Sequence, residues 1–499
     1  MMSFMTMSPM RSGTRRFLAA GLIVLAMMGA TLGGCTTNPA TGRTSLVSLM
    51  SPEEEAAIGA REHPKILQAY GGAYDNKKIS AYVADITARM MRATGRPNPS
   101  YQVTVLDSPV VNAFALPGGY VYVTRGLMAL ANSEAELAAV IGHEIGHVEA
   151  RHSSQRQTAA IGTSILGALV AALIDHPIGD TLVDLGNQGI LAGYSRGQEL
   201  EADELGVRYL AAAGYSPYAE AWILQAMGGQ TALHAKIEEQ EYDPSAVDWF
   251  GSHPPSAKRV EEALAHARAT GLAQGQGEIN RETYLSKISG MTYGDNARQG
   301  YVRGRQFIHP EQRFAFEVPA GFSITNTPKA IFARNRDQGV QIQFDGASPP
   351  AGASMTDYIA NGWARGANIQ SLDSFTTNGL PAATALVQSQ SGYVQLVAIR
   401  FAPDTVYRFV MAAPMNAMRQ GASDLSQVVK SFRKVSAAEA RKLKPRRVQP
   451  VTVKRGQSLS DFARRMPFED YQLDRFLALN GLAPDATLQA GQTVKLIVE

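Results

Sequence analysis

One run constrains this chain more than any other: Ala138-Ala139-Val140-Ile141-Gly142-His143-Glu144-Ile145-Gly146-His147. Four residues apart on a helix, His143 and His147 fall on one face, one turn apart. Two imidazoles so placed can share a zinc ion, and Glu144 can reach a water on that ion. The surroundings support a helix. Ser133-x-x-Glu136 reads as a capping box, and Leu137, Val140, Ile141, Ile145 and Val148 supply the apolar positions of a buried or half-buried helix. Buried polar groups need partners, so two histidines and a glutamate inside such a stretch ask for one.

A catalytic zinc takes three protein ligands and leaves one position open for water. Downstream lies Tyr194-Ser195-Arg196-Gly197-Gln198-Glu199-Leu200-Glu201-Ala202-Asp203-Glu204-Leu205-Gly206, with a second capping signal at Ser195-x-x-Gln198. Glu199 and Asp203 are four apart on one face. One of them can bind metal while the other orients a ligand histidine through its second ring nitrogen. An acidic run of this kind is ordinarily a solvated helix face, and the upstream motif shifts that reading.

Together these stretches resemble the gluzincin metallopeptidases of the CAAX prenyl protease and HtpX group, and most of all its periplasmic, BepA-like branch. The resemblance spans roughly residues 40 to 270. It is carried by Asn112-Ala113-Phe114-Ala115-Leu116-Pro117-Gly118-Gly119-Tyr120-Val121-Tyr122-Val123-Thr124, His143 to His152, Ser195 to Gly206, and Ser252-His253-Pro254-Pro255 with Arg259. It implies one zinc per chain held by His143, His147 and Glu199, with Asp203 behind a ligand histidine and Glu144 as general base. It further implies that Asn112, Ala113, Phe114 and Ala115 form an edge strand that pairs with an extended peptide. His253 becomes a displaceable fourth ligand that holds the enzyme inactive, and Arg259 a group for oxyanion stabilisation or loop anchoring. His152, five residues past His147, falls off the shared face of a regular helix and reads as structural.

The N-terminus supplies an address. Arg11, Arg15 and Arg16 precede the apolar segment Phe17 to Leu32, and Leu32-Gly33-Gly34-Cys35 follows. Residues 1–34 read as a secretory signal. The end of it resembles a bacterial lipoprotein box, which implies lipidation of Cys35, with Thr36 favouring the outer membrane. Cys35 is the only cysteine, so no intramolecular disulfide is available. The formal charge of +3 equals that of the three arginines before Cys35, so the remainder sums to about zero and nothing asks for nucleic acid. The apolar stretch Ala159 to Ile174 is shorter than a span of about 20 residues. It reads either as a helix over the active site or at the membrane interface, or as a buried core helix.

The expected architecture is α+β and multidomain. A mainly helical zinc-peptidase domain with a small β-sheet covers 35–290. An antiparallel α+β domain of unknown role covers 300–435, where Phe314 to Pro319, Val340 to Phe344, Tyr393 to Phe401 and Val406 to Met411 read as strands. Residues 436–450, with Arg441, Lys442, Lys444, Arg446 and Arg447 among two prolines, read as an exposed basic linker. Residues 451–499, through Val451 to Ala463, Asn480-Gly481-Leu482 and Leu488 to Leu496, resemble a βααβ lysin-motif (LysM) domain. That resemblance implies binding to the N-acetylglucosamine chains of peptidoglycan.

The function expected is a zinc-dependent endopeptidase of the bacterial cell envelope, lipid-anchored in the periplasm and acting on unfolded or misassembled envelope proteins. The alternatives are a zinc-bound assembly factor with little proteolysis, and a peptidoglycan-binding or peptidoglycan-hydrolysing wall protein. An intact Glu144 favours catalysis, and a peptide-type edge strand favours protein as substrate.

Overall fold

In a computed structural model of the chain, the described residues are 35–37, 44–46, 51–95, 101–153, 155, 194–237, 256–350, 352–389 and 392–499. The expected signal segment 1–34, the apolar run 159–174 and residues 252–255, His253 included, lie outside them. The short strands β1 (Cys35–Thr37) and β2 (Thr44–Leu46) pair antiparallel. No helix among the described residues is long and apolar enough to cross a membrane.

Helix α1 (Pro52–Ala69) starts at a capping box between Ser51 and Glu54, with Pro52 at its first position. Helix α2 (Lys77–Arg92) buries Ile79, Val83, Ile86 and Met90. Three strands then form a small sheet in the order β3–β5–β4. In it β3 (Gln102–Leu106) runs parallel to β5 (Tyr120–Thr124), and β4 (Ala113–Leu116) runs antiparallel to β5 on the outer side. Helix α3 (Arg125–Leu130) leads into α4 (Glu134–Glu149), the His-Glu-x-x-His helix, which is buried along nearly its whole length.

Packed on α4 are α5 (Arg196–Ala212), α6 (Ala219–Ile237) and α8 (Arg281–Ile288), while α7 (Ala257–Ala269) packs on α5 and α6. Glycines let α4 and α5 come close. A Cβ at Gly146 would sit 3.1 Å from the Ala202 carbonyl oxygen, and one at Gly206 would sit 3.2 Å from the His143 amide nitrogen. Neither backbone atom can swing aside as a side-chain tip could.

The chain then turns β-rich. Strands β7 (Tyr301–Arg303), β8 (Gln306–His309) and β9 (Phe314–Glu317) form a sheet with β17 (Arg433–Lys434). Seven antiparallel strands follow in the order β10–β11–β12–β16–β15–β14–β13. They are β10 (Phe322–Asn326), β11 (Ile331–Asn335), β12 (Val340–Ala347), β13 (Asn368–Thr377), β14 (Leu380–Ser389), β15 (Gly392–Ala402) and β16 (Thr405–Ala412). Residues 355–363 form one short α-turn, α9 (Met355–Asp357), continued as a π-helix over Tyr358–Trp363. Helix α10 (Met418–Ser431) closes the core with Leu425, Val428 and Val429 against Phe314, Phe344 and Phe409.

Residues 436–450 correct the reading of an exposed linker. They form α11 (Ala437–Lys442) and the start of β18 (Arg446–Thr452). That strand pairs on one side with β19 (Thr493–Val498) and on the other with β6 (Thr292–Tyr293). The basic residues sit on the outside while Val448 is fully buried, so the strand alternation outweighed the charge count. With α12 (Leu459–Ala463) and α13 (Gln472–Asn480), β18 and β19 give the βααβ order. Residues 467–470 lie between α12 and α13.

This C-terminal unit is not loosely tethered. Phe462, Phe476, Val494, Leu496 and Ile497 belong to the same hydrophobic core as Ile141 and Leu205 of the histidine helices. Lys495 is fully buried, and its Nζ donates to the carbonyls of Ala129 (2.6 Å), Leu130 (3.0 Å) and Ala131 (2.8 Å). Those are the orphan acceptors at the C-terminus of α3, where a cation is favoured.

Candidate metal centre

Helix α4 starts at Ser133, whose hydroxyl accepts from the Glu136 amide as the sequence suggested. Its register places the rings of His143 and His147 together, with Nε2 to Nε2 at 3.0 Å. Helix α5 starts at the Ser195–Gln198 capping box and delivers Glu199 to the same point. Its carboxylate oxygens lie 3.4 Å from His147 Nε2 and 3.6 Å from His143 Nε2. The three donor atoms fall within 4.8 Å of one another, and all three residues are buried. Tetrahedral zinc with bonds of about 2.0–2.1 Å would set its ligand atoms about 3.3 Å apart, so the donor set and its spacing fit that ion.

Behind the donors each imidazole has a partner. His143 Nδ1 is 2.8 Å from Asp203 Oδ1. His147 Nδ1 is 2.8 Å from His152 Nδ1, and His152 Nε2 is 3.3 Å from Glu201. Of the pair of acids four apart, Glu199 lies at the histidine donors and Asp203 behind them. Tyr194 stacks on the His147 ring, with centroids 3.8 Å apart and planes at 20°.

Arg259 extends from α7 into this cluster. Its Nε and one terminal nitrogen donate to the two oxygens of Asp203 at 2.8 and 2.7 Å, and its other terminal nitrogen is 2.9 Å from Glu199. The guanidinium thus sits on the carboxylates. Burial works against its charge, but Asp203 and Glu199 outweigh burial and raise its pKa. Asp203 is held below the usual carboxylate range despite its own burial, by Arg259 and then His143.

Sequence reasoning missed two residues. His152 reaches the His147 ring because α4 ends at Glu149 and Arg151, at φ 56°, turns the chain back. Helical spacing alone could not foresee that. Glu220, only 2% exposed, lines a small cavity beside the site together with Ala113, Val140, His143, Glu144 and Arg259. Burial, and then the negative charge of Asp203, push its carboxyl well above the ordinary range. A lone acid in the apolar segment Ala219-Glu220-Ala221-Trp222-Ile223-Leu224 was the available signal.

Residues Ala113 to Ala115 lie in β4, at the edge of its sheet. The Thr124 amide donates to the Asn112 carbonyl at 3.0 Å. Antiparallel alternation then turns the backbone groups of Ala113 and Ala115 outward, away from β5. Ala113 also lines the cavity beside Glu144.

A buried His-Glu-x-x-His helix crossed by a helix bearing Glu199 and Asp203 defines a metallopeptidase site. Residues 77–267 match Peptidase family M48, and residues 451–496 match the LysM domain. The chain carries an M48 metallopeptidase domain with a LysM domain C-terminal to it. Among curated proteins it is 32% identical over 190 residues to the mitochondrial metalloendopeptidase OMA1 of Schizosaccharomyces pombe, covering 38% of this chain and 53% of the relative. It is 24% identical over 290 residues to the beta-barrel assembly-enhancing protease of Escherichia coli, covering 55% of this chain and 56% of the relative. To the putative beta-barrel assembly-enhancing protease of Vibrio cholerae it is 27% identical over 199 residues, covering 38% and 39%. The chain spans about half the length, or less, of these relatives.

Proposed function

We propose that this protein is a zinc-dependent endopeptidase of the bacterial cell envelope that hydrolyses misassembled envelope proteins, outer-membrane proteins among them. The observation that carries the reading is the convergence of His143, His147 and Glu199 donor atoms within 4.8 Å, with Glu144 buried on the same helix. A zinc ion held there by His143, His147 and Glu199 would supply a water of lowered pKa and a polarised carbonyl. Glu144 takes the water's proton and later delivers it to the leaving amine. Asp203 holds the His143 ring, and the pair of His152 and Glu201 holds that of His147, so both present Nε2 forward. Arg259 keeps Glu199 and Asp203 in place. The substrate chain adds to the outer edge of β4 as an extended strand next to Glu144.

Support for the substrate class comes from relatives described as beta-barrel assembly-enhancing proteases. The address rests on the expected signal segment and lipidation at Cys35, and the LysM domain supports contact with peptidoglycan. Metabolic labelling with palmitate should mark Cys35, and unlabelled mature protein would refute the anchor.

The central experiment compares wild type with Glu144→Gln on an unfolded outer-membrane protein, with zinc measured in parallel. Cleavage should fall by about two to four orders of magnitude, the range for loss of a general base, while zinc content stays at one per chain. Equal cleavage would remove Glu144 from its role. In the same assay His253→Ala should raise basal cleavage if His253 is a displaceable fourth ligand. Unchanged cleavage at equal zinc content would end that part of the reading.

A further inference from the structure

Helix α6 presents one stripe of side chains to two cavities. Glu220, Ile223, Leu224 and Met227 line the small cavity beside His143 and Glu144. Gln230 and His234, about one and two turns further on, line a second cavity of about 360 Å³. Residues three and four apart share a helix face, so the stripe runs unbroken from the first cavity to the second. The facing wall is continuous too. Ala113 of β4 lines the first cavity, and Pro109, Val110 and Val111, which lead into β4, line the second.

We propose that the second cavity is a remote specificity subsite of the peptidase, which takes a large apolar side chain of the substrate about four residues from the bond that is cut. The proposal rests on the reading of β4 as the edge to which the substrate adds, and it names what that substrate must carry.

Distance sets the residue count. From Leu224 to His234 the helix rises about 15 Å, at about 1.5 Å per residue. An extended chain covers that in about four to five residues. Side chains of a strand alternate between faces, so an even spacing is needed to turn both toward α6, and this selects four.

Size and lining set the chemistry. The cavity beside Glu144 holds about 30 Å³, room for one or two waters, so it cannot choose among large side chains. The second is far larger, and Val110, Val111, Leu130, Tyr293 and Leu479 give it a mostly apolar lining. Val110 is 50% exposed, one of three large apolar side chains so exposed among the described residues. A substrate side chain seated there would remove that surface from water. The Arg125 guanidinium in the wall is held by Asp107 and by the carbonyls of Thr292 (2.9 Å) and Gly294 (3.1 Å). Partial burial and then the charge of Arg336 pull the His234 pKa down, so its ring is mainly uncharged at neutral pH. The lining therefore favours an uncharged side chain.

The wall that leads into β4 is fixed in place. The Asn112 amide donates to Thr124 Oγ1 at 3.1 Å, and its carbonyl accepts from the Thr124 amide at 3.0 Å. Gly126 lets the segment lie directly on α3, since a Cβ there would collide with the carbonyl oxygens of Pro109 and Val110. The subsite is thus formed before substrate arrives.

The test uses the full-length, zinc-loaded protein and a peptide that it cleaves once, chosen from mapped fragments of an unfolded outer-membrane protein. Serine and phenylalanine are compared at each position from two to six residues on either side of the cut. In wild type, phenylalanine should raise kcat/KM about tenfold or more at a position about four residues away on one side. Binding of the same peptides, labelled, to Glu144→Gln should show the same preference by fluorescence anisotropy. Val110→Asp and, on the opposite wall, Gln230→Glu should each bring the ratio of the two peptides to about one. Leu473→Asp, at an exposed apolar residue outside the cavity, should leave the ratio unchanged. Either wall variant decides alone if the other does not fold. If wild type cleaves the peptides with no preference at that distance, or if the preference survives in the wall variants, the subsite is overturned while the peptidase reading stands. If wild type with one zinc per chain cleaves neither peptide nor unfolded protein, the peptidase reading falls and the subsite with it.

Discussion

At the scale of single residues, the metal centre is organised by groups that do not themselves supply the converging donor atoms. Asp203 faces both His143 Nδ1 and the Arg259 guanidinium, so it sets the ring orientation of one proposed ligand and is itself locked in place. Asp203→Asn keeps the size but removes the charge that both neighbours face. Zinc affinity should fall about 10–100-fold, as read by competition with a chromogenic chelator, while the circular dichroism spectrum is retained. An unchanged affinity would assign Asp203 to packing alone. His143, Glu144 and His147 were legible from spacing, because four residues are nearly one helical turn. Glu199 and Asp203 were legible as a pair, and only the resemblance told them apart. His152 and Glu220 were not legible as site residues, since a chain reversal after Glu149 brings in the first and tertiary packing of α6 brings in the second.

At the scale of elements, local signals predicted starts better than partners. The caps at Ser51, Ser133 and Ser195 mark true helix starts, because each side-chain oxygen accepts an orphan amide three residues on. The basic segment after Ser436 misled, because its charges line the outer face of a strand whose Val448 faces the core. Strand β8 carries a pH dependence of its own. His309 is buried, its Nδ1 accepts from the Gln312 amide at 3.1 Å, and desolvation pulls its pKa down from 6.5 to about 4. The unfolded chain then binds a proton that the folded one does not as pH falls through that window. Stability is therefore complete above about pH 6.5 and is lost toward pH 4, by up to about 3 kcal/mol. Urea unfolding at several pH values should show this slope in wild type and a shallower one in His309→Gln. Parallel curves would mean that His309 is not the group responsible.

At the scale of the whole molecule, the LysM domain is built into the peptidase rather than appended to it. Lys495 is the clearest instance. Burial pulls its pKa well below the usual lysine value, with Glu136 acting in the other direction, and its Nζ is within hydrogen-bond distance of all three carbonyls that end α3. Lys495→Met would leave those acceptors buried without donors. It should cost about 3 kcal/mol, lower the melting temperature of the whole chain and speed limited proteolysis between the two domains. An unchanged melting temperature would mean that the seam contributes little. Deleting residues 446–499 would likewise uncover apolar core, so it is a poor way to isolate glycan binding. The sequence by itself determined the chemistry, because helix period, caps and residue type place two imidazoles on one face, with a carboxylate next to the first, without reference to anything distant. Only the tertiary structure decided the company they keep. Glu199, Arg259 and Glu220 come to the site from three other helices, and Lys495 joins the last strand to the third helix, through contacts that no local periodicity encodes.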